Sequence, residues 1–158
     1  MTVRIQTEDF DLGQELKFMR LAEHAKRDSQ AVNNIGALVS FVGQVRDMNE
    51  GDNIHTLTLE HYPAMTEKAL TAIELEAKSR WDVIDTLIIH RVGTLQPLDQ
   101  IVLVAVTSAH RGEAFKACEF IMDYLKTSAP FWKKESTSQG ERWVEAKLTD
   151  DAAKQRWK

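Results

Sequence analysis

Cysteine is nearly absent from this 158-residue chain: Cys118 stands alone. A single thiol excludes an internal disulfide framework and any multi-cysteine zinc or iron–sulfur site. A reducing compartment is the expectation. Glycine and proline are sparse, at 7 and 3 residues, and they form no Pro/Gly/Ser-rich linker. No internal repeat is present. With 43% hydrophobic and 28% charged residues, the chain is neither disordered, collagen-like nor low-complexity. No apolar run approaches the ~18 residues of a membrane-spanning helix. Thr2 to Asp9 carry acids where a secretory signal would carry its apolar run. A soluble, cytoplasmic protein is the expectation. A basic excess is missing too: 20 Lys+Arg against 24 Asp+Glu leave a net charge of −4, which disfavours a general nucleic-acid binder. Residues 1–60 hold 6 basic and 10 acidic side chains, whereas residues 61–158 hold 14 of each.

Familiar catalytic motifs are also missing. There is no Gly-rich phosphate loop, no dinucleotide fingerprint and no G-x-S-x-G elbow. The five histidines (His24, His55, His61, His90 and His110) include no i, i+4 pair around a glutamate, so a zinc-protease site is not expected. Cys118 falls on the apolar stripe of a helical pattern and reads as a small buried hydrophobe.

What is present reads as one domain over residues 1–158, with an N-terminal helix region at 1–30 and a polar tail at 148–158. Leu12, Leu16, Met19 and Ala22 at helical spacing predict a helix over 11–27. Asn33-Asn34 signals a turn. Gly36 to Arg46 reads as a strand, residues 47–53 as a polar loop, and His55 to Tyr62 as a strand with one wet face. Pro63 suits a helix start, with Met65, Ala69, Ile73, Ala77 and Trp81 as its stripe. Val83 to Val92 and Ile101 to Ser108 are strands. A helix follows from about Gly112 to Thr127, with a stripe of Phe115, Cys118, Ile121, Met122 and Leu125, and Pro130 forbids its continuation. Phe131 to Glu135 and Arg142 to Ala146 form a hairpin around a Ser136–Gly140 turn. The tail from Asp150 suits a short helix. Helices and strands mix without a βαβ rhythm, which implies an α+β fold with a mostly antiparallel sheet.

Three features suggest an anion site in this acidic chain. His110-Arg111 joins a strand end to a helix start, where free N–H groups favour negative charge and arginine adds a planar fork. A structural alternative is that His110 caps the helix and Arg111 pairs with Glu113. Tyr124 to Lys134 carries Lys126, Lys133 and Lys134 among Phe131 and Trp132, with no acid. Lysine there suits a nucleophile or a proton shuttle, although Lys126 also complements a helix C-terminus. Lys133 and Lys134 are adjacent on a strand, so at most one of them faces any given pocket. Arg46 ends the first long strand, as an anion ligand or an exposed charge. Spacing alone leaves open whether these cations converge. It also leaves open a non-catalytic module binding an anionic peptide tail or single-stranded RNA, and a phosphate-ligand enzyme of another kind.

Four segments carry a resemblance: Phe41 to Arg46 (FVGQVR), Leu59 to Met65 (LEHYPAM), Val106 to Arg111 (VTSAHR) and Met122 to Glu135 (MDYLKTSAPFWKKE). In this order they closely resemble the large, catalytic subunit of molybdopterin synthase, over about Gly36 to Ala146. The resemblance implies an α+β fold with a barrel-like antiparallel sheet, flanking helices and a hammerhead element. It implies a sulfurtransferase of molybdenum cofactor biosynthesis. Such an enzyme converts cyclic pyranopterin monophosphate (precursor Z) into molybdopterin with sulfur from a small ubiquitin-like subunit ending in a Gly-Gly thiocarboxylate. Two large subunits would form the central dimer of a heterotetramer. By position, Lys126 and Lys133 match the catalytic lysines. Arg46, His110 and Arg111 match substrate-pocket residues, with Gln44, Val45, Lys134 and Glu135 beside them. Gln44 departs from the lysine common in the family. No cofactor and no metal is called for, because the partner supplies the sulfur.

Overall fold

The computed structural model describes residues 1–21, 34–49, 51–145 and 148–158. The expected helix over 11–27 begins as α1 (Leu12–Arg20), with Asp11 capping it through the Gln14 N–H. Its predicted continuation over 22–27 lies outside the described residues, as does Asn33 of the expected turn.

Two apolar runs organise the first sheet. β5 (Val83–Arg91) and β7 (Gln100–Ser108) pair antiparallel, and both are buried almost throughout. Their side chains meet cover on both faces, so each reads as a continuous run rather than an alternating one. Ile88, Val102, Val104 and Val106 face α2 (Pro63–Arg80) and α3 (Arg111–Ser128). Leu87, Ile89, Leu103 and Ala105 face Phe10 and Met19 at the α1 side. β2 (Ala37–Gln44) flanks β7 antiparallel. On the other edge β1 (Thr2–Gln6) lies parallel to β5. That strand is absent from the sequence expectation, because the acids at Glu8 and Asp9 mask the short alternation of Val3 and Ile5.

The second sheet has the order β3 (Met48–Asn49), β4 (Asp52–His61), β8 (Phe131–Thr137), β9 (Gly140–Val144), with β6 (Gly93–Leu95) also pairing β4. β3 was expected as loop. Gly93, at φ 87°, lets the chain leave β5 and cross to this sheet. Its core is Val45, Ile54, Leu57, Leu59 and Leu95. Every pairing except β1–β5 is antiparallel. The expected α+β class with mostly antiparallel sheets is therefore the observed one.

Both long helices bury a stripe displaced from the expected one. In α2, Thr66 and Leu70 are buried while Met65 is 62% exposed. Thr66 tolerates burial because its hydroxyl donates to the Pro130 carbonyl. In α3, Phe115 is exposed, and Ala114, Ala117 and Phe120 take the inner face with Cys118, Ile121, Met122 and Leu125. The small alanines let the helix lie close to the sheet, and Phe120 supplies the aromatic contact, against Trp81, Tyr124 and Trp157. The tail forms α4 (Leu148–Gln155), as expected, and is held on α3 by Arg156 and Trp157 through Asp123.

Two buried titratable groups oppose each other in pH dependence. Glu74, 2% exposed, accepts a 2.6 Å hydrogen bond from Thr86, and burial drives its pKa up from 4.5 to about 7. Its folded value exceeds its unfolded one, so the stability it contributes in acid is lost as pH rises through that window. Burial pushes His90 down from 6.5 to about 4, so its contribution is lost as pH falls through that range. Each effect is worth roughly 3 kcal/mol. Between pH 4.5 and 6.5 they offset. Glu74→Gln is expected to leave the melting temperature unchanged near pH 4.5 and raise it at pH 8. It should also uncover a rise in stability between pH 4 and 6.5. Thermal melts across this range check it, and an equal shift at both extremes would contradict it.

Candidate active site

Lys126 stands in the last turn of α3, where a cation complements the helix dipole. Pro130 ends that helix, and the chain returns at once as β8, bringing Lys133 back toward Lys126. Arg46 follows β2 beyond an irregularity between Gly43 and Gln44. The backbone there is pinned by Val45: its N–H donates to the Asp99 carbonyl at 2.9 Å, and its own carbonyl accepts from Leu98 at 2.8 Å. Val45 itself is 3% exposed and serves through its backbone.

These segments enclose a cavity of about 240 Å³ lined by Gln44, Val45, Arg46, Lys126, Lys133 and Glu135. The seam between the two sheets therefore collects three cations and one buried carboxylate. Glu145 and Asp150 complete an acidic side of the rim. A second chamber of about 320 Å³ shares Gln44, Lys126, Phe131 and Lys133 with it and adds Phe41, His90, Met122 and Leu125. The two lysines thus stand between a polar mouth and an apolar chamber.

A hydrogen-bond network sets one wall. Glu135, 5% exposed, accepts from Asn49 Nδ2 at 2.6 Å and from Arg142 Nε at 3.1 Å. Arg142 Nη2 donates to the Asn49 carbonyl at 3.1 Å, and Arg46 Nη2 donates to Asn49 Oδ1 at 3.3 Å. Arg46 and the β8–β9 hairpin are thereby tied through one asparagine. Sequence reasoning missed Asn49 and Arg142. Arg142 was within reach, since a tight turn pairing Thr137 with Gly140 sets Glu135 opposite Arg142. Asn49 had no local signal.

Three expected site residues are not brought to this cavity. Lys134 points to the other face of β8, as strand alternation demands, with Nζ 3.7 Å from Glu141 and 5.7 Å from the Trp143 ring centroid. His110 and Arg111 stand at the opposite end of α3, lining a depression with Gly36, Ala109 and Gly112. The fifteen-residue span from Arg111 to Lys126 is about 22 Å of helix, too far for one small ligand within one chain. Within one chain, His110 and Arg111 therefore do not share a cavity with Arg46. The local alternatives also differ from expectation: the His110 side chain makes no cap bond, and Glu113 pairs with Lys116. Gly36 fits tightly there, because a Cβ would run into the Ala109 carbonyl.

Cys118 is buried as expected, and burial with Glu119 nearby pushes its thiol up to about 12. It is no nucleophile at neutral pH. Among the described residues no group of three or more His, Cys, Asp or Glu could hold a metal ion, and no helix is long and apolar enough to cross a membrane.

The profile of the MoaE protein family matches residues 5–128. A molybdopterin synthase catalytic subunit from Ralstonia nicotianae is 58% identical over 99% of this chain and 84% of its own length. The solved molybdopterin biosynthesis MoaE protein from Burkholderia ambifaria is 56% identical, covering 99% of this chain and 97% of its own, with a TM-score of 0.78. A Helicobacter pylori chain, solved as a complex of subunits 1 and 2 of molybdopterin-converting factor, shares the fold at 23% identity and a TM-score of 0.71, over 90% of each chain. With a cavity that sets paired lysines beside an arginine at the seam of two antiparallel sheets, the chain belongs to the MoaE family, that of the molybdopterin synthase catalytic subunits.

Proposed function

We propose that this chain is a sulfurtransferase. It moves sulfur from the C-terminal thiocarboxylate of a small ubiquitin-like subunit to precursor Z, forming the dithiolene of molybdopterin. The observation that carries this reading is the convergence of Lys126, Lys133 and Arg46 on one cavity, with an apolar chamber behind the lysines. Both reactants are anionic, and cations held in place around the cavity stabilise charge that develops as the acyl carbon is attacked. Lys126 acts directly on the transfer intermediates, as acid/base or as transient acyl acceptor. Lys133 holds charge and orients substrate. Arg46 supplies a planar donor to the cyclic phosphate, and Gln44 and Glu135 shape its surroundings. The thiocarboxylate sulfur bonds to a carbon of precursor Z as an oxygen leaves that carbon, and the acyl carbon–sulfur bond then breaks as water adds to the acyl carbon, either directly under the direction of Lys126 or after Lys126 has transiently held the acyl group. Sulfur stays on the substrate and the tail ends as a carboxylate.

The proposed working unit is one catalytic domain over residues 1–158, acting in the cytoplasm as the central dimer of a heterotetramer. The subunit pairing in the Helicobacter pylori complex supports a small-subunit partner. In a dimer, His110 and Arg111 would act in the second copy's site, which resolves their distance from Lys126 within one chain. Reconstitution with thiocarboxylated small subunit and precursor Z tests the reading. Dithiolene product is expected with the thiocarboxylate and none with the plain carboxylate. Failure with both, for folded protein, would overturn it.

A further inference from the structure

His90 has no part in the scheme so far, yet it lines the apolar chamber with Lys126 and Lys133. It sits near the end of β5 at 3% exposure. Its Nδ1 lies 2.8 Å from the Arg91 carbonyl oxygen. A carbonyl only accepts, so Nδ1 carries the proton and donates. The ring stacks on Phe131 at 3.8 Å between centroids and 15° between planes, and His61 approaches the same phenyl ring at 6.3 Å. Phe131 lies two residues before Lys133 on β8. Burial keeps the imidazole uncharged, helped by the Lys133 and His61 charges, and brings its pKa to about 4. Nε2 is therefore a lone-pair acceptor at neutral pH and no proton reservoir.

The other chamber-lining side chains set this nitrogen in relief. Phe41, Met122, Leu125 and Phe131 are apolar, the two lysines only donate when charged, and Gln44 is an exposed rim residue. Burying an imidazole where a phenyl ring would stack equally well costs desolvation of a polar atom. The Arg91 carbonyl compensates Nδ1 alone. Lys133 lines the same chamber, and its ammonium is the donor that would give Nε2 a use.

We propose that His90 is a positioning residue of the sulfur-transfer site: its Nε2 accepts a hydrogen bond from the Lys133 ammonium and fixes where that charge stands in the chamber. Its stack on Phe131 holds the start of β8 in place for the same purpose. This role rests on Lys133 holding charge during transfer, as proposed above.

Three substitutions separate the parts. His90→Phe keeps the stacking ring and removes both nitrogens. His90→Asn keeps a donor near Nδ1 and removes the distal acceptor. His90→Gln returns an amide to the distal position. With thiocarboxylated small subunit and precursor Z, kcat should fall about tenfold or more in His90→Phe and His90→Asn, the range for a hydrogen bond to a charged group. KM for precursor Z should stay within about twofold, and His90→Gln should recover to within about threefold of the unsubstituted enzyme, the amide restoring that bond. The melting temperature of His90→Phe should be unchanged or raised. An unimpaired kcat in His90→Phe overturns the proposal, and so does an equal loss in all three variants without recovery by glutamine. If His90→Phe fails to fold, nitrogen-15 NMR of the unsubstituted protein decides. An unprotonated Nε2 whose shift moves in Lys133→Ala supports the role, while a protonated Nε2 at pH 7, or an Nε2 shift indifferent to Lys133→Ala, overturns it. The Lys133→Ala variant also separates the two readings. Full activity there removes the role proposed for Lys133 itself, whereas impaired Lys133→Ala with unimpaired His90→Phe removes only the inference about His90.

Discussion

Lys126→Ala should lower dithiolene formation by about 100-fold or more while leaving the fold intact. The magnitude is that of losing a proton-transfer group or nucleophile acting in the transition state. The side chain is exposed at the end of α3, so folding loses only a charge–dipole interaction of about 0.3–1 kcal/mol. Activity and stability should therefore separate cleanly. Single-turnover sulfur transfer from thiocarboxylated small subunit checks the first, and a thermal melt the second. A variant making product at near-normal rate would end the role assigned to Lys126. Lys126→Arg keeps charge but cannot readily donate its proton or accept an acyl group. It should remain impaired if Lys126 does chemistry and recover if charge alone is needed.

Arg142→Met should weaken the site by a different route, lowering stability and substrate affinity together. Glu135 is 5% exposed and loses both its charged partner and a 3.1 Å hydrogen bond. A buried carboxylate left with Asn49 as its remaining side-chain partner among the described residues should cost about 2 kcal/mol, less than for a fully buried pair because Arg142 is partly exposed. The same substitution frees the Asn49 carbonyl, and Asn49 is what holds Arg46. KM for precursor Z should rise about tenfold, as for one lost charged hydrogen bond, with kcat changed by only about threefold or less. Glu135→Gln combined with Arg142→Met should recover most of the stability, because no unpaired charge remains. It should not recover KM. An unchanged KM in a destabilised Arg142→Met variant would show that the network supports the fold and not the substrate.

Much of this architecture was legible in local pattern. Apolar runs announced β5 and β7, Pro130 announced the break between α3 and β8, and alternation announced that Lys133 and Lys134 part company. Helix faces were less legible, because a period of 3.6 admits neighbouring stripes. Ala114 and Phe120 won over Phe115 through their fit to the sheet, and buried Thr66 needed the distant Pro130 carbonyl. β1 was obscured because a five-residue edge strand carries little signal beside acidic neighbours.

By itself the sequence determined the α+β class, the order of the main elements, the family resemblance and the candidate cations. These depend on periodicity and short motifs, which are properties of neighbours along the chain. Only the tertiary structure decided which cations share a cavity. Arg46 reaches Lys126 and Lys133 because Asn49 bonds Glu135 across 86 residues of chain and the β2 end is pinned to Asp99. His110 and Arg111 are kept away by the rigid length of α3, although sequence order places them between Arg46 and the lysines. Convergence of this kind is set by strand pairing and helix rigidity over long separations, and no local spacing encodes it.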